Sequence, residues 1–201
     1  EYCFGFYLIN KIKKFSNKVN IIGYQHGIFS ENLFWFDILK QIRNNNNYFP
    51  NKILASNPYS ARDYKKKLRK VFVSISNKNN FKKNILPHEI KISKSSNKMI
   101  ILPGTHDIGD LYYYYINSFK HSKKKIFFKL HPKNKFLFKN SKNIYKINNH
   151  KNNYFSDVVI SQTSSLVYDF LKIKKKFSVV NIDYRFNLLN SRILKKTKVI
   201  L

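Results

Sequence analysis

Short apolar runs rich in β-branched residues recur along this chain, and each ends abruptly in a polar loop. Residues 19–24, 52–56, 71–73, 98–102, 125–130, 157–160 and 177–182 have this form. Runs this short, without strict alternation and bounded by Asn, Ser, Gly or Pro, read as buried strands. Helix-like stretches lie between them at residues 33–42, 61–70, 107–119 and 166–171, with Ser60 as the expected N-cap of the second. Strands alternating with helices predict an open α/β fold with a parallel sheet. In the third helix-like stretch, 107–119, Leu111, Tyr112, Tyr115, Ile116 and Phe119 fall on one face, so the tyrosine run reads as packing, with a stacking platform as the alternative. Residues 76–97 are rich in Ser, Asn and Lys and carry Pro87, which predicts a linker between a first half, 1–75, and a second, 98–201.

The charge invites a nucleic-acid reading, and its make-up argues against one. The 201 residues hold 39 Lys and Arg against 10 Asp and Glu, a net charge of +29, yet only five of those cations are arginine, the residue whose planar fork suits phosphate and guanine. The lysines are spread from Lys11 to Lys198 and come with 26 asparagines, a pattern of compositional drift more than of selection for a polyanion. No specific nucleic-acid partner is expected, and a basic nucleic-acid-binding domain stands as the alternative of another class. An apolar content of 43% excludes an intrinsically disordered polycation. The single Cys3 excludes an internal disulfide and fits a reducing, cytoplasmic compartment. No run approaches the 18 or so apolar residues of a spanning helix. The chain opens on Glu1 without an initiator Met and ends on an apolar run, so it reads as a piece of a longer protein.

In open α/β sheets, ligands bind outside the carboxyl ends of the strands, and the unusual residues cluster there. His26 and Gly27 follow the first strand; Gly104 and Thr105 follow the run 98–102; His131 and Pro132 follow 125–130; Thr163, Ser164 and Ser165 follow 157–160. Hydroxyls entering a helix lie beside unpaired backbone N–H groups at the positive end of its dipole, which suits a phosphate. The plainer reading is that Ser164 caps the helix. His26 beside a glycine suits a general base, or a hydrogen-bonded loop histidine. His131 suits contact with a phosphate or leaving group. No glycine-rich phosphate loop, His-Glu-x-x-His helix or Asp-x-Asp pair occurs, so the expected chemistry is metal-independent, with no cofactor.

Lys129-Leu130-His131-Pro132, followed by Ser156-Asp157-Val158-Val159-Ile160-Ser161-Gln162-Thr163-Ser164-Ser165-Leu166-Val167-Tyr168-Asp169-Phe170, resembles the pattern of the CDP-glycerol glycerophosphotransferase family and its relatives among GT-B glycosyltransferases of bacterial surface polysaccharides. Upstream, Gly23-Tyr24-Gln25-His26-Gly27 is similar to that family's Trp-His-Gly segment. Where the glycerophosphotransferases have Asp-Tyr before the serine pair this chain has Gln162-Thr163, and their Trp is Gln25 here, which favours a sugar transferase over a polyol-phosphate transferase. The resemblance implies two Rossmann-like lobes, both incomplete here: an acceptor-side lobe over 1–75 and a donor-nucleotide lobe over 98–201. It implies His26 and His131 as catalytic residues, Thr163, Ser164 and Ser165 on the donor phosphate, and Gly27, Gly104, Thr105 and Asp169 in support. The implied partners are a nucleotide-activated donor, CMP- or CDP-linked among others, and a polysaccharide or lipid-linked acceptor. A lipid-linked acceptor and a basic surface together would suit peripheral attachment to the anionic inner face of the cell membrane.

Overall fold

The fold is taken from a computed structural model that describes residues 2–16, 18–25, 46–68, 70–76, 86–182, 188–189 and 191–200. His26, Gly27 and the helix expected at 33–42 lie outside the described residues. The chain is a mixed α/β protein with parallel sheets, divided into two compact units, Glu1–Lys82 and Lys83–Leu201.

The first unit runs α1 (Tyr2–Phe15), β1 (Ile22–Tyr24), a 3-10 turn at Asn46–Tyr48, β2 (Lys52–Ala55), α2 (Pro58–Lys67) and β3 (Phe72–Ile75). Its three strands pair in parallel in chain order, with Gly23 opposite Ile53 and Ile53 opposite Val73. Phe49, Ile53, Ala55, Ala61, Leu68 and Val73 form the core, and Phe6 of α1 meets Phe49 edge to face at 5.6 Å. The N-cap of α2 lies three residues before the expected one. Asn57 Oδ1 accepts from Ser60 N–H at 2.9 Å, and Pro58 takes the first helical position, where its missing N–H costs nothing. Ser60 is therefore inside the helix and buried.

The second unit begins with α3 (Leu86–Glu89) and β4 (Lys91–Ile92), inside the stretch expected to be a linker. That expectation is corrected for residues 86–97. Pro87 and Ile90 are buried, Lys175 Nζ donates to the Pro87 carbonyl at 2.7 Å and also to that of Ile90, and β4 pairs with β8 (Tyr154–Phe155). Two apolar anchors among many polar residues were enough to dock the segment, which average composition conceals. The main sheet then uses β5 (Lys98–Leu102), β6 (Lys125–Phe128), β7 (Ile144–Lys146), β9 (Asp157–Ser161), β10 (Ser178–Val180) and β11 (Lys198–Ile200). All its pairings are parallel, in the order β11-β10-β9-β5-β6-β7. α4 (Ile108–Phe119) follows β5, α5 (Leu166–Lys172) follows β9, and α6 (Ser191–Leu194) precedes β11.

The tyrosine run on α4 is packing, as its spacing predicts. Ile108, Leu111, Tyr112 and Tyr115 are buried against Ile101, Ile126, Phe128 and Val159, with Ile116 and Phe119 at the margin, while Tyr113 is 63% exposed. Tyr112 makes edge-to-face contacts with Phe128, Phe136 and Phe138, and its hydroxyl donates to the Lys139 carbonyl at 2.8 Å, so its polar end is satisfied.

Candidate functional site

From β5 the chain steps outward through β6 to β7, then returns to the other side of β5 as β9 and continues outward through β10 and β11. The strand order therefore reverses between β5 and β9, and their carboxyl ends, Leu102 and Ser161, flank the position where open α/β sheets hold their ligands. Three loops meet at this end of the sheet: residues 103–107 after β5, 129–134 after β6, and 162–165 after β9.

Asp107 joins the first loop to the third. Its Oδ1 accepts from Gly104 N–H at 2.9 Å, while its Oδ2 accepts from Thr163 Oγ1 at 2.8 Å and from Ser161 Oγ. Thr163 N–H donates to Ser161 Oγ at 3.0 Å, which closes the group. Asp107 occupies the N-cap position of α4 but makes no side-chain bond to that helix. Hydrogen bonds to an ionised group are worth about 1.5–3 kcal/mol each, so this carboxylate holds β5 and β9 together at their polar ends.

Gly104 is explained by space. Its φ is not positive, yet a Cβ built there would overlap Thr163 Oγ1, lie 3.0 Å from Thr163 Cβ and lie 3.1 Å from Asp107 Oδ1. The loop needs glycine because Thr163 has to reach Asp107 across it.

On the other side, Asn134 Nδ2 donates to the Thr105 carbonyl at 3.2 Å and ties the turn after β6 to the same loop. That turn carries His131, which is exposed. Lys133 N–H donates to His131 Nδ1 at 3.2 Å, so the neutral ring carries its proton on Nε2, the atom left to act as a donor. Lys133 brings a cation to the same turn.

The serine pair divides. Ser164 is buried, 8% exposed, and its Oγ accepts from Leu166 N–H at 3.4 Å. Ser165 is exposed at the N-cap of α5, and its hydroxyl makes no cap bond. The backbone amides expected to be unpaired already have acceptors: Val167 N–H reaches the Ser164 carbonyl at 3.3 Å and Tyr168 N–H the Ser165 carbonyl at 3.1 Å. α5 has only seven residues, which limits its dipole. What this loop presents outward is the Ser165 hydroxyl, matched across the group by the exposed Thr105. Thr163 is occupied by Asp107. Asp169 is half-buried in the first turn of α5.

The residues that depart from the family pattern have structural work. Gln162 is buried, donates to Asn181 at the end of β10, and accepts from Leu188 N–H at 3.0 Å. Gln25, also buried, donates to Ser60 Oγ at 2.9 Å and accepts from Ser56 N–H at 3.0 Å, fixing the exit of β1. Both buried amides are thereby satisfied by partners at strand ends.

Among the described residues, no three His, Cys, Asp or Glu side chains come together as a metal site, and no helix is long and apolar enough to cross a membrane. Sequence reasoning missed Asp107, Ser161 and Asn134. For Ser161 the available signal was the run of polar residues, Ser161 to Ser165, directly after Val158-Val159-Ile160; Asp107 and Asn134 carry none. No family model matches this chain, and no curated protein is significantly similar to it in sequence.

Proposed function

We propose that this chain is part of a GT-B-type transferase that moves a sugar from a nucleotide-activated donor to a polysaccharide or lipid-linked acceptor. The observation that carries the reading is that hydrogen bonds tie together the loops bearing Thr105, His131 and Ser165 at the carboxyl ends of β5, β6 and β9, beside the reversal of strand order. The order of the His-Pro and Ser-Ser motifs along the chain adds to it.

In this mechanism the donor diphosphate lies over residues 104–105 and 163–165, with the Ser165 and Thr105 hydroxyls donating to its oxygens and Ser164 shaping the loop beneath. The acceptor oxygen bonds to the anomeric carbon of the sugar as the bond from that carbon to the donor phosphate breaks, and the electron pair leaves with the nucleotide. The acceptor proton passes to a general base, the role that the family resemblance implies for His26. His131 Nε2–H donates to the departing phosphate, whose charge Lys133 also offsets; such preorganised donors lower the barrier because their orientation is set before reaction. Asp169 supports the loop from α5.

The test is a thermal-shift series with CMP, CDP, UDP and GDP, against inorganic pyrophosphate as a control for the basic surface. A nucleotide at a hundred times its Kd stabilises the native form by about 2.7 kcal/mol, which at about 2–4 °C per kcal/mol raises Tm by about 5–10 °C. One nucleotide exceeding pyrophosphate by several degrees is expected. Four nucleotides indistinguishable from pyrophosphate would remove the donor site.

A further inference from the structure

We propose that Asp107 is the positioning residue of the site: its carboxylate couples the loop after β5 to the loop after β9, and so sets the distance between the Thr105 and Ser165 hydroxyls. This rests on the nucleotide-donor reading above and adds to it the residue on which the site's geometry depends.

Three observations support the assignment. First, Asp107 holds the N-cap position of α4 and yet makes no side-chain cap bond to that helix, sending one carboxylate oxygen back to Gly104 in its own loop and the other to the loop after β9. A residue kept only for helix stability would cap its own first turn. Second, its partners Ser161 and Thr163 are 54 and 56 residues away in the chain, so the bonds carry the coupling of the two segments past the end of the β5–β9 ladder, whose last pair is Leu102 and Ile160. Third, the loop it anchors is the one Asn134 grips from the His131 side at 3.2 Å. The group thus forms a row: the His131 turn, the Gly104–Thr105 loop, Asp107, and the Thr163–Ser165 loop. Asp107 does not itself offer a donor to a phosphate, and its negative charge would repel one.

That charge makes the test two-sided. If Asp107 acts through position, Asp107→Asn loosens the loops and weakens nucleotide binding. If it acts only as a nearby charge, the same change relieves repulsion and strengthens binding. The experiment is calorimetric titration of the full chain with CDP and UDP, in the wild type, in Asp107→Asn, and in Asp157→Asn as a control. Asp157 pairs with Lys124 at the opposite, amino-terminal end of the same sheet, so its loss lowers stability without touching the loops. We expect at least tenfold weaker binding for Asp107→Asn, with the protein still folded by circular dichroism, and less than a twofold change for Asp157→Asn. Unchanged or tighter binding by Asp107→Asn overturns the proposal, as does equal weakening in both variants.

Amide hydrogen exchange separates this from failure of the donor reading. Asp107→Asn should speed exchange at residues 104–106 and 162–165 together, with or without nucleotide. If the wild type binds neither nucleotide, the donor reading fails while coupled loosening still supports the positioning role. Exchange unchanged in both loops overturns the role whatever binds.

Discussion

The two units are built from the same kind of strand and differ in the order in which they arrange it. In the first, β1, β2 and β3 lie side by side in chain order, so no neighbouring pair of strands sends its connections in opposite directions. Its sheet is also thinly covered: Ile22, Tyr24, Phe72 and Ile75 are 42%, 55%, 64% and 49% exposed. In the second, the chain starts in the middle of the sheet and works outward on both sides, which buries β5 and β9 completely along four residues each. The same reversal leaves the carboxyl ends of those strands flanked by loops that diverge, and there the polar group around Asp107 collects. A strand pair buried along its last four residues therefore delivers the polar group around Asp107. A site of fixed geometry needs that arrangement, since loops are only as well placed as the strands that deliver them.

The largest effect should come from thinning that strand pair. Ile101 is fully buried in β5 between α4 and the sheet, so Ile101→Ala should lose about 2–5 kcal/mol through the transfer of its side chain and the cavity left behind. Phe72→Ala on the first unit's exposed face should cost under about 1 kcal/mol, chiefly the loss of the Lys52 ammonium 5.3 Å from its ring. Urea unfolding of both variants checks the contrast. Similar losses would mean that the first unit's sheet face is covered in solution and that the two units are equally packed.

Next is Gly104→Ala. The added methyl displaces Thr163 from Asp107, since a β-branched side chain hydrogen-bonded at its Oγ1 has little room to turn. Overpacking of this kind costs about 1–3 kcal/mol. Gly23→Ala, inside β1 of the first unit, is tight only against Pro50 Cγ at 3.2 Å, with Ile53 Cγ1 and Pro50 Cβ at an ordinary 3.7 Å, and should be milder. Thermal denaturation compares the pair, and a Gly104→Ala protein as stable as the wild type would mean that the loop yields without cost.

How much of this could be read in the sequence follows the same divide between local and distant. The run 98–102 became β5 over the expected residues because Met99, Ile100, Ile101 and Leu102 are all buried, and four such residues in a row leave few alternatives. Three-residue β7 was missed, as runs that short carry no periodicity. α1 was missed too, because Gly5 and a nearly continuous apolar stretch obscured its helical face; no neighbouring atom lies within 4 Å of where a Cβ on Gly5 would be. At the site, Gly104, Thr105, His131 and the residues 163–165 were legible as polar groups at the ends of apolar strands. Asp107 was not, for its role exists only through partners more than fifty residues away, and in sequence it looks like any helix cap. Ser60 shows the converse: its residue type suits a cap, but Asn57 followed by Pro58 at the first helical position takes that role.

The smallest predicted effect concerns pH and is confined to the second unit. His150 is buried, 5% exposed, with Nε2 3.2 Å from Glu89 Oε2 and neither ring nitrogen in a well-formed hydrogen bond. Burial holds its pKa below the ordinary histidine value, Lys129 and then Lys151 push the same way, and Glu89 opposes them in part. Because the folded value is depressed, the unfolded chain takes up a proton first as pH falls below about 6.5. Stability is thus full above that point and declines as pH drops from there through the folded pKa. The opposition of Glu89 keeps the effect modest. The other described histidines, His88, His106, His121 and His131, are exposed, so between pH 7.5 and 5.5 hydrogen-exchange protection should fall at β5 and β9 and hold at β2. His150→Gln should flatten that loss, since it removes the titrating ring while keeping an amide that can meet Glu89. A variant with the wild-type slope, or protection that rises toward acid, would show that the burial of this histidine is not what links the sheet to the proton.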